Sequence, residues 1–330
     1  MRTLSAKTRN LTTLAVILLF GVGSQFLIGD PYVSHVLILG GIYGLLAIGL
    51  NIVTGFCGQI NLGMAGFYAI GSYTSAILSV RYGFGFWPAF LISILSSTLV
   101  GVVIGFPALK VRGGVYLVLI TTSFAGIIQT VLNQWVGLTN GPMGIVGIPA
   151  PSIFKHQIST LQDWLVLVYA LVLIAALAAI RIERSRIGRS LIAVRESETS
   201  AQSLGINLAF YKVLAFALSA AFAGAAGSLY AHYMTTISPD IYSFSTSVLV
   251  LMMIVVGGVG SIPGSIIGGI IVSVLPELLR PLNELQMIVY SLLIVLSTIY
   301  LRKGIMGLGI DTARFFRRTL SVRRNDEQAR

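Results

Sequence analysis

Between Asp30 and Arg81 the chain runs for 50 residues without one charged side chain. Further charge-free intervals extend from Leu11 to Gly29, Tyr82 to Leu109, Gly113 to Phe154, Trp164 to Ile180, Val213 to Pro239, Ile241 to Pro276 and Leu285 to Leu301. A water-facing surface needs roughly 25% charged residues; here only 10% of 330 are charged, and the mean hydropathy is +0.89. The solvent implied is a bilayer. A spanning helix takes about 20 mainly apolar residues, so the interval from Pro31 to Val80 holds two helices, with the turn supplied by Thr54-Gly-Phe-Cys-Gly58-Gln59.

Divided in this way, the chain is all-α, a polytopic transmembrane helical bundle of about ten spans. They are expected near 11–28, 35–53, 62–80, 87–106, 114–134, 164–180, 210–231, 244–257, 264–278 and 285–301. Cytoplasmic loops collect Lys and Arg. With the N-terminus inside, that side holds Arg2, Lys7, Arg9, Lys110, Arg112, Arg181, Arg184, Arg186, Arg189, Arg195, Lys212, Arg302, Lys303 and the tail arginines 314, 317, 318, 323, 324 and 330. Only Arg81, Lys155 and Arg280 fall outside, a split of 19 to 3 that predicts both termini in the cytoplasm. It also accounts for the net charge of +11 without nucleic acid. The expected organisation is a cytoplasmic N-terminus over 1–10, a membrane domain over 11–309 and a basic cytoplasmic tail over 310–330. The first span is read as a retained helix, because no small-residue cleavage pattern precedes Asp30.

Catalytic constellations are missing from the sequence. Lys7-Thr8 is the only Lys-Ser or Lys-Thr pair, and no glycine loop precedes it, so no phosphate loop is present. His35, His156 and His232 are far apart and form no zinc-protease pair; His232, near a helix end, reads as an interfacial residue. The lone Cys57 excludes an internal disulfide and a multi-cysteine metal site. Gly307 to Asp311 lies beyond the last span. Every acid falls at or near a predicted boundary, whereas ion-coupled carriers keep ionisable groups within the membrane. The chain therefore reads as a non-enzymatic part of a machine energised from elsewhere, with an uncharged channel still open as an alternative. No metal or cofactor is expected.

Such a machine needs a docking surface, and one inside loop, 181–209, is long; the longest outside loop is 135–163. The inside loop reads as a single short amphipathic helix near 190–204. Leu191, Val194, Ala201 and Leu204 fall near one face, while Arg195, Glu196, Glu198 and Gln202 project polar groups. Gly205 suits the left-handed position after the helix, and Asn207 the cap of the next one.

Four segments resemble the permease subunits of branched-chain amino acid (LIV-type) ABC importers, within a likeness running from about Tyr43 to Gly309. They are Gly44-Leu-Leu-Ala-Ile-Gly-Leu-Asn51 leading to Thr54-Gly-Phe-Cys-Gly58-Gln59-Ile-Asn-Leu-Gly63; Pro107-Ala-Leu-Lys-Val-Arg112-Gly-Gly-Val-Tyr116; Thr139-Asn-Gly141-Pro-Met-Gly144-Ile-Val-Gly-Ile-Pro149; and Arg195 to Asn207 with Tyr211-Lys212. The resemblance implies a bacterial inner-membrane location. It implies three kinds of partner, a second, related permease, two ATP-binding subunits that bind the ATP, and a periplasmic substrate-binding protein; membrane lipids are a further partner, from the bilayer setting and the arginines of the tail. It makes the 190–207 segment the coupling helix, with Arg195, Glu196, Glu198, Ala201, Gly205 and Asn207 as coupling residues. The chain departs from the pattern at Asn61-Leu-Gly-Met64 and at Gly126, which leaves the cargo open between branched-chain amino acids and urea, short amides or another small polar solute. A stand-alone channel or secondary carrier is the remaining alternative.

Uncharged polar residues cluster at Asn51, Thr54, Gln59 and Asn61 and at Thr121, Thr122, Ser123, Gln129 and Asn133. Such groups in spans glue helices or line a route; as clusters, Asn51, Gln59, Asn61, Thr121, Thr122, Ser123 and Gln129 are the candidate translocation pathway. Small residues recur four apart at Gly40/Gly44, Gly101/Gly105, Ala220/Gly224, Ala223/Gly227 and Gly264/Gly268, a spacing that permits close helix approach. Gly55-x-x-Gly58-x-Ile60 recurs as Gly257-x-x-Gly260-x-Ile262, read as a weak repeat or a pair of re-entrant turns.

Overall fold

The computed structural model describes residues 31–110, 114–153, 156–278 and 292. The expected spans 11–28 and 285–301, the N-terminal stretch 1–10, Asp311 and the tail 310–330 lie outside the described residues. Helix α1 (Pro31–Leu50) runs into a wider π-helical turn, Asn51–Phe56. Then come α2 (Met64–Arg81), α3 (Phe86–Lys110), α4 (Gly114–Gln134), the single turn α5 (Val136–Thr139), α6 (Leu161–Arg184), α7 (Arg186–Glu196), α8 (Glu198–Ser203), α9 (Leu208–Met234), α10 (Phe244–Gly257) and α11 (Ile262–Leu278). Two small antiparallel pairs complete the described chain: β1 (Ile145–Val146) with β4 (Thr236–Ile237), and β2 (Ser152–Ile153) with β3 (His156–Gln157).

Five of these segments are long and apolar enough to cross a membrane: 31–56, 86–107, 116–134, 161–184 and 208–234. The expectation of about ten exceeds what the described residues hold, for physical reasons beyond the two outlying segments. Helix α10 has 14 residues, about 21 Å at the helical rise, short of the roughly 30 Å hydrocarbon layer. With the 17-residue α11 it forms a helical hairpin whose turn, 258–261, packs beside the end of α1. Helix α2 carries six hydroxyl side chains and owes its place to buried contacts more than to apolarity.

Helix α9 is the central post, packed against α3, α2 and α1, while α1 also packs against α11 and α6. The small-residue spacing lies at these seams. A Cβ on Gly40 would stand 3.2 Å from the Ile270 backbone, and one on Gly105 would stand 2.9 Å from Val213. Gly101 faces Ala220, Gly71 faces the Gly224 backbone, Gly224 in turn faces Ser93 and Ser97, Gly227 lies on Ser72, and Gly264 meets Gly257. Hydroxyls fasten the same seams: Ser75 Oγ lies 2.7 Å from Ser228 Oγ and 2.9 Å from His232 Nε2, and Ser72 Oγ donates to the Gly227 carbonyl at 2.9 Å. His232 is thus interior and fully bonded, its Nδ1 reaching the Pro149 carbonyl at 2.7 Å, and not the interfacial residue expected.

On the outward side of α3 the arrangement is inverted relative to a protein in water. Leu91, Leu95, Leu99, Val103 and Phe106 form an exposed apolar ridge at near four-residue spacing. A ridge of this kind is stable where the solvent is lipid. The architecture is that of an all-α membrane protein.

The connecting segments gather at two ends. One end joins 54–63, the α7–α8 region and the 258–261 turn; the other joins 82–85, the long 135–160 connection and 235–243.

Candidate functional site

The α7–α8 region is built by caps. Ser185 is extended (φ −72°, ψ 176°), its hydroxyl accepts from the Gly188 amide, and the turn it makes redirects the chain from α6 into α7. Ser197, extended again at φ −162° and ψ 113°, breaks what the sequence presents as one helix into two, and its Oγ accepts from the Ser200 amide at 3.2 Å to start α8. Helix α8 ends in a Schellman closure: the Gly205 amide donates to the Gln202 carbonyl at 3.0 Å, and the Ile206 amide to the Ala201 carbonyl at 3.0 Å. Gly205 stands at φ +79°, the left-handed position expected of it. Asn207 Oδ1 then accepts from the Phe210 amide at 3.1 Å and caps α9.

Leu191, Val194 and Ala201 are buried against the bundle. Leu204, expected on that face, is 79% exposed, and Ile206 packs on the core in its stead. The exchange follows from the Schellman closure, in which the residue after the left-handed glycine folds back over the helix it has just left.

The charged groups divide by direction. Glu196 stays exposed. Glu198 turns back, with Oε1 2.7 Å from Lys212 Nζ; the Lys212 side chain is only 7% exposed and that of Glu198 47%. Gln59 Nε2 donates to the same carboxylate at 3.4 Å. Arg195 is exposed, as expected of the polar face, yet its guanidinium reaches the Gly55 carbonyl in the π-helical turn after α1 and its stem lies along Gly58. Between these groups lies Cys57, and burial pushes its thiol up to about 12.

The pathway candidates separate in space. Asn51 is buried with its amide fully used: Nδ2 donates to Ser261 O at 3.0 Å and Ser265 Oγ at 2.8 Å, and Oδ1 accepts from the Gly260 amide at 2.8 Å. Together with Gln59 it belongs to the α7–α8 end. Asn61 and Thr121 meet where α2 begins: Asn61 Oδ1 accepts from the Gly63 amide at 2.8 Å, Thr121 Oγ1 accepts from the Leu62 amide at 3.1 Å, and the Asn61 Nδ2 is buried without a partner. Farther along α4, Thr122 is half-buried, Ser123 is exposed, and Gln129 Nε2 donates to the Pro239 carbonyl at 3.4 Å. Lys212 and the 258–261 turn take part in the site without having been picked as site residues. Their sequence signals were the Tyr211-Lys212 pair, with Lys212 counted among the inside cations, and the repeated Gly-x-x-Gly-x-Ile.

The profile of the family described as the branched-chain amino acid transport system permease component matches residues 32–298. The high-affinity branched-chain amino acid transport system permease protein LivM of Escherichia coli K12 is 37% identical over 290 residues, covering 81% of this chain and 68% of LivM. LivH of the same organism is 28% identical over 310 residues, covering 87% and 98%. BraD of Pseudomonas aeruginosa is 30% identical over 256 residues, covering 72% and 82%. No solved structure matches the chain. On the extent of the profile match and the identity to LivM, the chain belongs to the family of branched-chain amino acid transport system permease components.

Proposed function

We propose that the chain is the membrane permease subunit of a binding-protein-dependent ABC importer. It translocates branched-chain or related small amino acids with ATP hydrolysed by two separate subunits, paired with a second, related permease and fed by a periplasmic binding protein. The named relatives are permease proteins of branched-chain amino acid transport systems. Among the described residues, the acids of the membrane-crossing helices sit only in terminal turns, Asp163 at the start of α6 and Glu183 at its end. That pattern suits a route driven by partners better than one driven by an ion gradient.

The observation that carries the docking role is the α7–α8 pair. Leu191, Val194 and Ala201 anchor it, while Glu196, Thr199, Ser200, Gln202 and above all Leu204 stand out from the end of the bundle. An exposed leucine beside polar groups at a bundle end is what a groove on a partner subunit can cover. In this reading the α7–α8 end faces the cytoplasm of a bacterial inner membrane, as the 19 to 3 charge split favours, and both termini lie on that side. The route runs beside α4, past Ser123 and Gln129, and is completed by the second permease.

Reconstitution tests this. In proteoliposomes containing the ATPase subunits and the sister permease, labelled leucine should enter only with ATP and a loaded binding protein. Leu204→Asp should abolish co-purification of the ATPase and uptake together. Uptake by this chain alone would transfer it to the channels or secondary carriers.

A further inference from the structure

We propose that Arg195 is a positioning residue that links the docking helix to two turns of the membrane domain at once, so that movement of α7 is passed to α1 and to the α10–α11 hairpin. The inference rests on the docking role of α7–α8 proposed above.

The first turn is the end of α1. The last carbonyls of a helix have no intrahelical partner and carry the negative end of its dipole. Here the Ile52 and Val53 carbonyls are taken by the amides of Cys57 and Gln59 at 3.3 and 3.1 Å, and the Gly55 carbonyl is taken by the Arg195 guanidinium. The second turn is 258–261. A Cβ on Gly260 would stand 3.3 Å from Arg195 Nη1, so the guanidinium edge lies directly against that backbone. Gly260 is at φ +85°, a conformation that L side chains rarely adopt. Buried Asn51 fastens the two turns to each other through its bonds to Gly260, Ser261 and Ser265. The turns are those of the repeated Gly-x-x-Gly-x-Ile, so the repeat marks the two places where one arginine bears on the membrane domain. One nitrogen, Nη1, serves both turns, bonding the Gly55 carbonyl and standing beside Gly260, and the rigid planar guanidinium holds it there in a way that the flexible ammonium of a lysine does not reproduce. The Glu198–Lys212 pair makes a separate attachment, from α8 to α9.

The experiment uses the assembled complex in proteoliposomes and reads two quantities: ATPase subunits co-purified per permease, and leucine transported per ATP hydrolysed. Arg195→Gln should keep the first within two-fold of wild type and lower the second at least ten-fold, with Arg195→Lys in between. Gly260→Ala, which leaves the surface of α7 untouched, should lower transport per ATP in the same direction, and the Arg195→Gln/Gly260→Ala double variant should be no worse than Arg195→Gln. Wild-type transport per ATP in Arg195→Gln overturns the proposal. Loss of ATPase co-purification in parallel with coupling also overturns it, since Arg195 would then be a docking contact. If Arg195→Gln fails to reach the membrane, Gly260→Ala and Arg195→Lys decide, and wild-type coupling in both overturns the link. Leu204→Asp separates the two readings: ATPase retained in that variant refutes docking at α7–α8, whereas ATPase lost there with Arg195→Gln fully coupled refutes only the role of Arg195.

Discussion

Lys212 places a charge in a nearly buried position, and Glu198 is its counter-charge at 2.7 Å. Removing one partner of a buried pair costs about 3–5 kcal/mol, and exposed pairs are worth about 0–1 kcal/mol. With one partner buried and the other half-exposed, Glu198→Gln should cost about 1–3 kcal/mol. The check is thermal unfolding in detergent: the midpoint should fall in Glu198→Gln and recover in part in Glu198→Gln/Lys212→Met, which removes the stranded charge. A fall that the second change does not relieve would locate the cost elsewhere. Cys57 supplies another test at this scale. Cys57 is 1% exposed and burial pushes its thiol up to about 12, so the reactive thiolate is both disfavoured and out of reach of reagents at pH 8. The folded protein should therefore show no maleimide mass shift over an hour at pH 8, and should react fully once unfolded in detergent and denaturant.

Among the elements, α8 depends most on a single backbone conformation. Apart from its own chain neighbours, nothing lies within 4 Å of where a Gly205 Cβ would stand, so a side chain there meets no tertiary conflict beyond its own left-handed φ. Gly205→Val should cost about 1–2 kcal/mol, fray the Schellman closure and release Ile206 from the core. Gly205→Asn should be much milder, because asparagine tolerates this region. Co-purification of the ATPase from membranes with equal permease content should rank wild type, Asn, then Val. Equal recovery for all three would show that the end of α8 is not part of the docking surface. The Ser197 break adds a structural reason for sensitivity here, since α8 has only six residues and is held at both ends by caps.

The whole molecule has its apolar surface outward on α3 and its polar fastenings inside, and the two ends differ in their charge. Cysteines introduced at Ser152 or Asp240 should react with an impermeant maleimide in intact cells, and one at Ser200 only after permeabilisation; all three positions are exposed, and the silent Cys57 leaves a clean background. Reversed labelling would invert the topology and remove the docking end from the cytoplasm.

What could be read along the chain was whatever depends on neighbours within one helical turn. The helix over 114–134 and that over 244–257 fall where apolarity and charge place them, and Gly205 and Asn207 take the cap positions that their chemistry suits. The bilayer was equally plain, because a fifty-residue interval without charge has no other solvent. What the tertiary structure decided was direction. Leu45 at 1% exposure and Leu95 at 67% are the same residue in similarly apolar surroundings, since lipid is as apolar as a helix interface and hydropathy cannot separate the two. Arg195, still exposed, bonded the Gly55 carbonyl, His232 was buried, and Asn51 found its partners some 210 residues away, each because of a backbone group brought beside it by packing. The fate of a polar side chain in a membrane is set by whichever unpaired group it can reach, and that is a property of the assembled bundle alone.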